Sequence, residues 1–108
     1  IDSTYIRYVN VHQIRVIIDS KTKTVVPEGI HRDGFNIIKV CVISRYNIKG
    51  GNSNIYNNKN QLLYTKCLEK GETITINDRL LFHSVDDISV IDEYDIAYRD
   101  VFVFTSID

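Results

Sequence analysis

His31 and Asp33 stand two residues apart in the run Glu28-Gly-Ile-His-Arg-Asp-Gly34, directly after Pro27, the only proline of the chain. Residues i and i+2 of an extended segment point the same way, so this imidazole and this carboxylate can reach one ion. A third donor, His83, follows the apolar run Leu80-Leu81-Phe82 at the start of a late strand, and Arg99 lies inside a final strand-like segment from Tyr98 to Thr105. Two neutral imidazoles and one hard anionic oxygen suit Fe(II), although ligand type alone also admits zinc and manganese. Three protein ligands leave three octahedral positions open, room for a bidentate 2-oxoacid and for oxygen, as in non-haem iron oxygenases. A guanidinium offers two parallel donors that match a carboxylate and stays charged when buried. Arg99 is therefore expected to anchor the far carboxylate of 2-oxoglutarate.

Each of these residues also has an ordinary reading. His-x-Asp is common in surface loops, and His83 alone would pass for a hydrogen-bonded histidine at a strand end. Arg99 has Glu93, Asp95 and Asp100 close by in sequence as ion-pair partners. The ordered conjunction of the four points to chemistry, because it arises by chance far less often than any one member. Arg32, between the two ligands, should point away from the metal, and Glu28 is either a supporting group or solvent-exposed. Arg45 and Asn47, with Tyr46, follow the long central strand and are candidates for substrate contact at a pocket mouth. Gln13 and Arg15 share one strand face and are candidates for the same role. His12 falls on the other face and reads as a packing or surface histidine.

The elements that must position these groups are strands. The dominant hydrophobic period is two: Val11, Gln13, Arg15 and Ile17 share one face, and His12, Ile14, Val16 and Ile18 the other. Tyr5 to Val9 reads as a short strand, and the β-branched run from Phe35 to Ser44 as a central one. Further strands are expected at Ile55–Tyr56, Leu62–Leu68, Thr73–Ile76, Ile88–Ile91 and Tyr98–Thr105. Residues 19–24, 57–60 and 69–72 read as turns, and Asn47 to Asn54 as a loop around Gly50-Gly51. Alternation along the last strand sets Arg99 with Val101 and Val103, opposite Asp100, Phe102 and Phe104. No ten-residue stretch shows a helical stripe. Short strands between Gly, Asn and Asp turns predict an all-β sandwich or jelly roll, with residues 1–108 as a single domain.

Bulk properties narrow the function classes. A chain of 108 residues buries roughly 65% of the surface its unfolded form exposes. A net charge of −1 carries no electrostatic footprint for nucleic acid or anionic membrane. No apolar run approaches the ~20 residues a membrane helix needs. With no secretory signal evident, the expected setting is cytoplasmic, with Cys41 and Cys67 as reduced, buried thiols. The chain contains no Met, initiator included, which fits a fragment of a longer protein.

The strings VNVHQIR, PEGIHRDG, SRYNIKGGNSNIY, NDRLLFHSV and YRDVFVFT resemble the 2-oxoglutarate/Fe(II) dioxygenases that hydroxylate free amino acids, among them the bacterial L-isoleucine 4-hydroxylases. The resemblance runs from Val9 to Thr105. It implies a double-stranded β-helix, a cupin-like jelly roll with iron at its open end. Carried over by position, it makes His31, Asp33 and His83 the metal ligands and Arg99 the 2-oxoglutarate anchor. It also implies a reaction that consumes 2-oxoglutarate and oxygen, releases succinate and carbon dioxide, and hydroxylates an unactivated carbon of a free, aliphatic L-amino acid. Members of this group carry N-terminal bracing helices that this chain is expected to lack. Many also have a serine or threonine where this chain has Val101, and an acidic residue where it has Asn52. Two alternatives stand beside this hydroxylase. One is a non-catalytic jelly-roll module that binds or senses a metal or small acid. The other is a cupin-like metalloenzyme that needs no 2-oxoacid.

Overall fold

In a computed structural model, residues 8–19, 21 and 23–107 are described, and they form ten β-strands and no helix. The strands are β1 (Tyr8–Ile18), β2 (Thr24–Val25), β3 (Ile37–Tyr46), β4 (Ile48–Gly50), β5 (Ser53–Tyr56), β6 (Leu62–Lys66), β7 (Thr73–Asn77), β8 (Phe82–Val85), β9 (Ile88–Val90) and β10 (Ala97–Ile107). One sheet runs β1-β10-β3-β7, a second β2-β9-β4 and a third β6-β5-β8. Every pairing is antiparallel. The last strand, β10, lies between β1 and β3, which leaves β1 and β7 at the edges of the large sheet. The all-β jelly-roll expectation is met.

Alternation places the core. Along β3, Ile38 and Val42 are fully buried while Lys39 between them is exposed. Ile74 and Ile76 do the same for β7, and with Val42 they pack against Ile55, Leu68 and Val101 between the large sheet and the third. A second core of Ile18, Ile48, Ile88 and Ala97 joins the large sheet to the second. Fully burying a side chain of this size is worth about 1.5–3 kcal/mol. Arg99 lies between the two cores on β10, two residues from Ala97 and two from Val101 on the same inward row.

Residues 47–54 do not form the expected loop. They hold β4, paired with β9 from Ile48↔Val90 to Gly50↔Ile88, and the start of β5. Gly50 and Gly51, with φ of 82° and 71°, carry the chain between them. A Cβ on Gly50 would stand 2.2 Å from the Asp87 carbonyl oxygen, and Gly51 N–H donates to that same oxygen at 3.0 Å. Only glycine fits so close a passage. Residues Val9 to Ile18 form one continuous strand rather than two, and Tyr5 to Arg7 lie outside the described residues. Cys41 and Cys67 are unbridged, and each is half-buried rather than buried.

Candidate metal centre and cosubstrate pocket

The three predicted ligands converge because a single antiparallel bridge joins two of their backbones. His31 N–H donates to the His83 carbonyl at 3.0 Å, and His83 N–H donates to the His31 carbonyl at 2.9 Å. Residues directly opposite in such a pair project to the same side, and the two rings sit 4.4 Å apart. Asp33 follows His31 on the same side, after which Gly34 turns the chain with a φ of 88°. The carboxylate then sits between the rings, Oδ1 3.2 Å from His31 Nε2 and Oδ2 3.4 Å from His83 Nε2. One donor atom from each of the three lies within 4.8 Å of the others.

The surroundings prepare both imidazoles as donors. His31 Nδ1 lies 2.7 Å from the Gly29 carbonyl, which can only accept, so Nδ1 carries a proton and Nε2 faces the centre. A metal-bound histidine is commonly held in this way through its outer nitrogen. Burial, and then the neighbouring His31 ring, hold the His83 pKa below the ordinary histidine value. That favours the neutral form a metal needs. His83 Nε2 is itself buried without a hydrogen-bond partner among the described residues, although Asp33 and Asp78 stand at 3.4 and 3.5 Å. Such an orphaned nitrogen, turned toward a carboxylate, fits a cation between them.

Arg99 is 6% exposed, and its Nε and Nη2 find no partner among the described residues. The acids near it in sequence are engaged elsewhere. Asp100 takes Arg15 through two bonds of 2.7 Å, Asp95 takes the Tyr46 hydroxyl at 2.6 Å, and Glu93 pairs with Lys23 at 3.0 Å. Burial, then the like charge of Arg45 opposite it on β3, lower the Arg99 pKa. A buried, unpaired guanidinium fits a carboxylate ligand.

Arg99 and the His31–Asp33–His83 group line one cavity of about 470 Å³. Its walls are mainly aliphatic, including Ile14, Val16, Val40, Ile55, Ile88, Val101 and Val103, with Ser53, Asn54, Ser84 and Glu28 as further polar residues. The other substrate-contact candidates fall elsewhere. Gln13 and Arg15 lie on the face of β1 opposite Ile14 and Val16. Arg45 reaches Cys67 Sγ at 2.8 Å and the Gly50 carbonyl at 3.1 Å. Asn47 ties down the segment before β10, donating to the carbonyls of Asp92 at 2.8 Å and Ile96 at 3.0 Å. None of the four lines this cavity. Arg32 points away from the centre, onto the Arg79 carbonyl and over the Phe82 ring. Glu28 is mostly exposed, 3.9 Å from His31 Nε2. Sequence reasoning missed Asp78, which is fully buried next to His83 Nε2. Its place five residues before His83 in Asn77-Asp-Arg reads as an ordinary turn.

Known structures share this architecture. A BsmA homologue from Methylobium petroleophilum superposes with a TM-score of 0.80 at 27% identity, over 94% of this chain and 41% of that one. The protein IDO from Bacillus thuringiensis gives 0.77 at 19% identity, over 92% and 47%. The Fe(II)/α-ketoglutarate-dependent dioxygenase TqaL gives 0.77 at 16% identity, over 92% and 41%. This chain thus spans less than half the length of each. It matches no curated protein. Residues 2–105 match the model of the 2OG-Fe dioxygenase family, so the chain belongs to that family, whose metal is Fe(II) and whose cosubstrate is 2-oxoglutarate.

Proposed function

We propose that this chain forms the catalytic barrel of a dioxygenase that hydroxylates a free, aliphatic L-amino acid, with His31, Asp33 and His83 holding Fe(II) and Arg99 holding 2-oxoglutarate. The observation that carries the reading is the meeting of that donor set with an unpaired, buried guanidinium in one cavity. When bound, the ferrous ion and 2-oxoglutarate supply the oxygen chemistry, with succinate and carbon dioxide as by-products. The protein's part is placement. The Gly29 carbonyl fixes the His31 ring, the bridge to His83 fixes the second ring, and Arg99 orients the distal carboxylate of the cosubstrate. The aliphatic walls exclude water and suit an aliphatic side chain. Glu28, the one lining carboxylate besides Asp33, sits at the rim and suits an ammonium group. Two unbridged cysteines are compatible with a reducing, cytoplasmic setting.

The test is an anaerobic visible spectrum of the protein with Fe(II), before and after addition of 2-oxoglutarate. A new metal-to-ligand charge-transfer band, absent from His83→Ala, is expected. Succinate release stimulated by one of a panel of aliphatic amino acids would then identify the substrate. A band with no turnover on any amino acid would instead favour a non-catalytic metal- and acid-binding module.

A further inference from the structure

We infer that Asp78 is the positioning residue of this metal centre: a buried carboxylate that shapes the loop carrying Asp33 and faces the donor nitrogen of His83. The inference rests on the metal reading above and adds a residue to it. Asp78 is 1% exposed. Its Oδ1 accepts the Asp33 N–H at 3.3 Å and its Oδ2 the Phe35 N–H at 2.8 Å. Its own N–H donates to the Asn36 carbonyl at 3.0 Å. Three bonds from one residue therefore hold residues 33–36, the segment that presents the only carboxylate of the donor set. The same Oδ1 lies 3.5 Å from His83 Nε2.

Closing a turn does not explain an acid here. Asn or Ser closes turns without the desolvation that a buried carboxylate suffers. An anion at this place has two further uses. Both its oxygens accept, so it serves two backbone donors where an asparagine would turn an NH2 group against one of them. It also balances charge. A divalent cation held by two neutral imidazoles and Asp33 keeps one positive charge, and Asp78, with Oδ1 3.5 Å from His83 Nε2, supplies the compensating negative charge beside the donor nitrogen. Asp78 thus acts through Asp33 and His83 on where the ion sits and how tightly.

The test compares the unmodified chain with Asp78→Asn, using Co(II) alone as the probe under anaerobic conditions. Co(II) affinity should fall ~10–100-fold in Asp78→Asn, the usual effect of losing a group that orients metal ligands. The ligand-field spectrum of the bound Co(II) should also change. A merely structural residue would lower the thermal midpoint of the metal-free protein and leave both readouts as they were, and that result would overturn the inference. If Asp78→Asn does not fold, amide exchange in the unmodified, metal-free chain decides. The Asp33 and Phe35 amides should then exchange as slowly as those of β3, and rapid exchange at both would refute the clasp. An unmodified chain that binds no Co(II) would remove the metal reading itself, and the role of Asp78 with it.

Discussion

Arg99 and Asp100 are adjacent on β10, opposite in charge and both buried, yet they never meet. Successive side chains on a strand point to opposite faces, so Arg99 enters the cavity and Asp100 leaves it. On the outer face Asp100 is satisfied twice, by the Arg15 fork and by the Ser44 hydroxyl at 3.1 Å. On the inner face Arg99 is left with two nitrogens, Nε and Nη2, that have no partner among the described residues. Pairing of the outer acid with Arg15 leaves the inner guanidinium free for a ligand.

Arg99 should therefore cost stability while serving binding. Replacing a buried, unpaired cation by a side chain of similar length and no charge is expected to stabilise the ligand-free protein by about 1–3 kcal/mol. Arg99→Met should accordingly raise the urea midpoint in the absence of 2-oxoglutarate. The same change should weaken 2-oxoglutarate binding by at least ~30-fold, the lower end of what losing a buried charged hydrogen-bond partner costs. Arg99→Lys, which keeps the charge but loses the fork, should fall between. A destabilised Arg99→Met that still binds 2-oxoglutarate normally would make Arg99 a scaffold residue.

The outer pair carries a pH signature. The hydrogen bond from Arg15, and then that from Ser44, hold the Asp100 carboxyl below the usual carboxylate range. A group whose pKa is depressed by folding stabilises the folded state above its unfolded value, about 3.9 for aspartate, and loses that contribution as pH falls through the folded value. Urea midpoints of the wild type and Asp100→Asn should differ by a constant amount at pH 6–7 and converge below about pH 4. A gap that stays constant to the lowest pH at which both fold would mean that Asp100 contributes nothing as an anion.

Gly50 and Gly51 should respond unequally to the same change. Both have positive φ, which costs a residue with a side chain roughly 1–2 kcal/mol. At Gly51 an added Cβ meets the movable Ile88 Cγ1 at 3.1 Å, while at Gly50 it meets a backbone oxygen at 2.2 Å. Gly50→Ala should therefore lower the thermal midpoint clearly more than Gly51→Ala. The reverse order would mean that the β4–β9 pairing gives way more easily than the packing around Ile88.

The site was more legible in the sequence than the scaffold, because its signals are local. His31-x-Asp33 needs only period-two geometry, and alternation sorts Arg99 from Asp100 without any fold. Alternation also separated Gln13 and Arg15 from Ile14 and Val16. It could not say which face of β1 turns inward, since Val11 and Ile17 are as apolar as Ile14 and Val16. The inner face is set by which side the smaller sheets cover. The short strands β2 and β4 escaped for the same reason: their partners in β9 are more than 35 residues away, and the polar run before β2 and the glycines and asparagines around β4 dominate the local signal. Asp78 is the sharpest case. Its sequence neighbours describe a turn, and only the return of residues 33–36 across that turn gives the carboxylate its partners.

Metal binding should be visible as stability, and the ligands should be separable from the rest by that measure. A ligand that binds only the folded chain adds about 2.7 kcal/mol at one hundred times its dissociation constant. In a domain of this size each kcal/mol moves the thermal midpoint by roughly 4–8 °C, so Co(II) at that level should raise it by about 10–20 °C, reversibly with a chelator. In His31→Ala, Asp33→Ala and His83→Ala the same Co(II) concentration should shift it hardly at all. Asp33→Ala should be the most affected, because it removes the only anionic donor and leaves two neutral imidazoles to hold a dication. Arg99→Met should keep the full metal shift and lose only the further shift that 2-oxoglutarate adds. Equal metal shifts in the wild type and all three alanine variants would locate the ion elsewhere on the chain and dissolve the proposed centre.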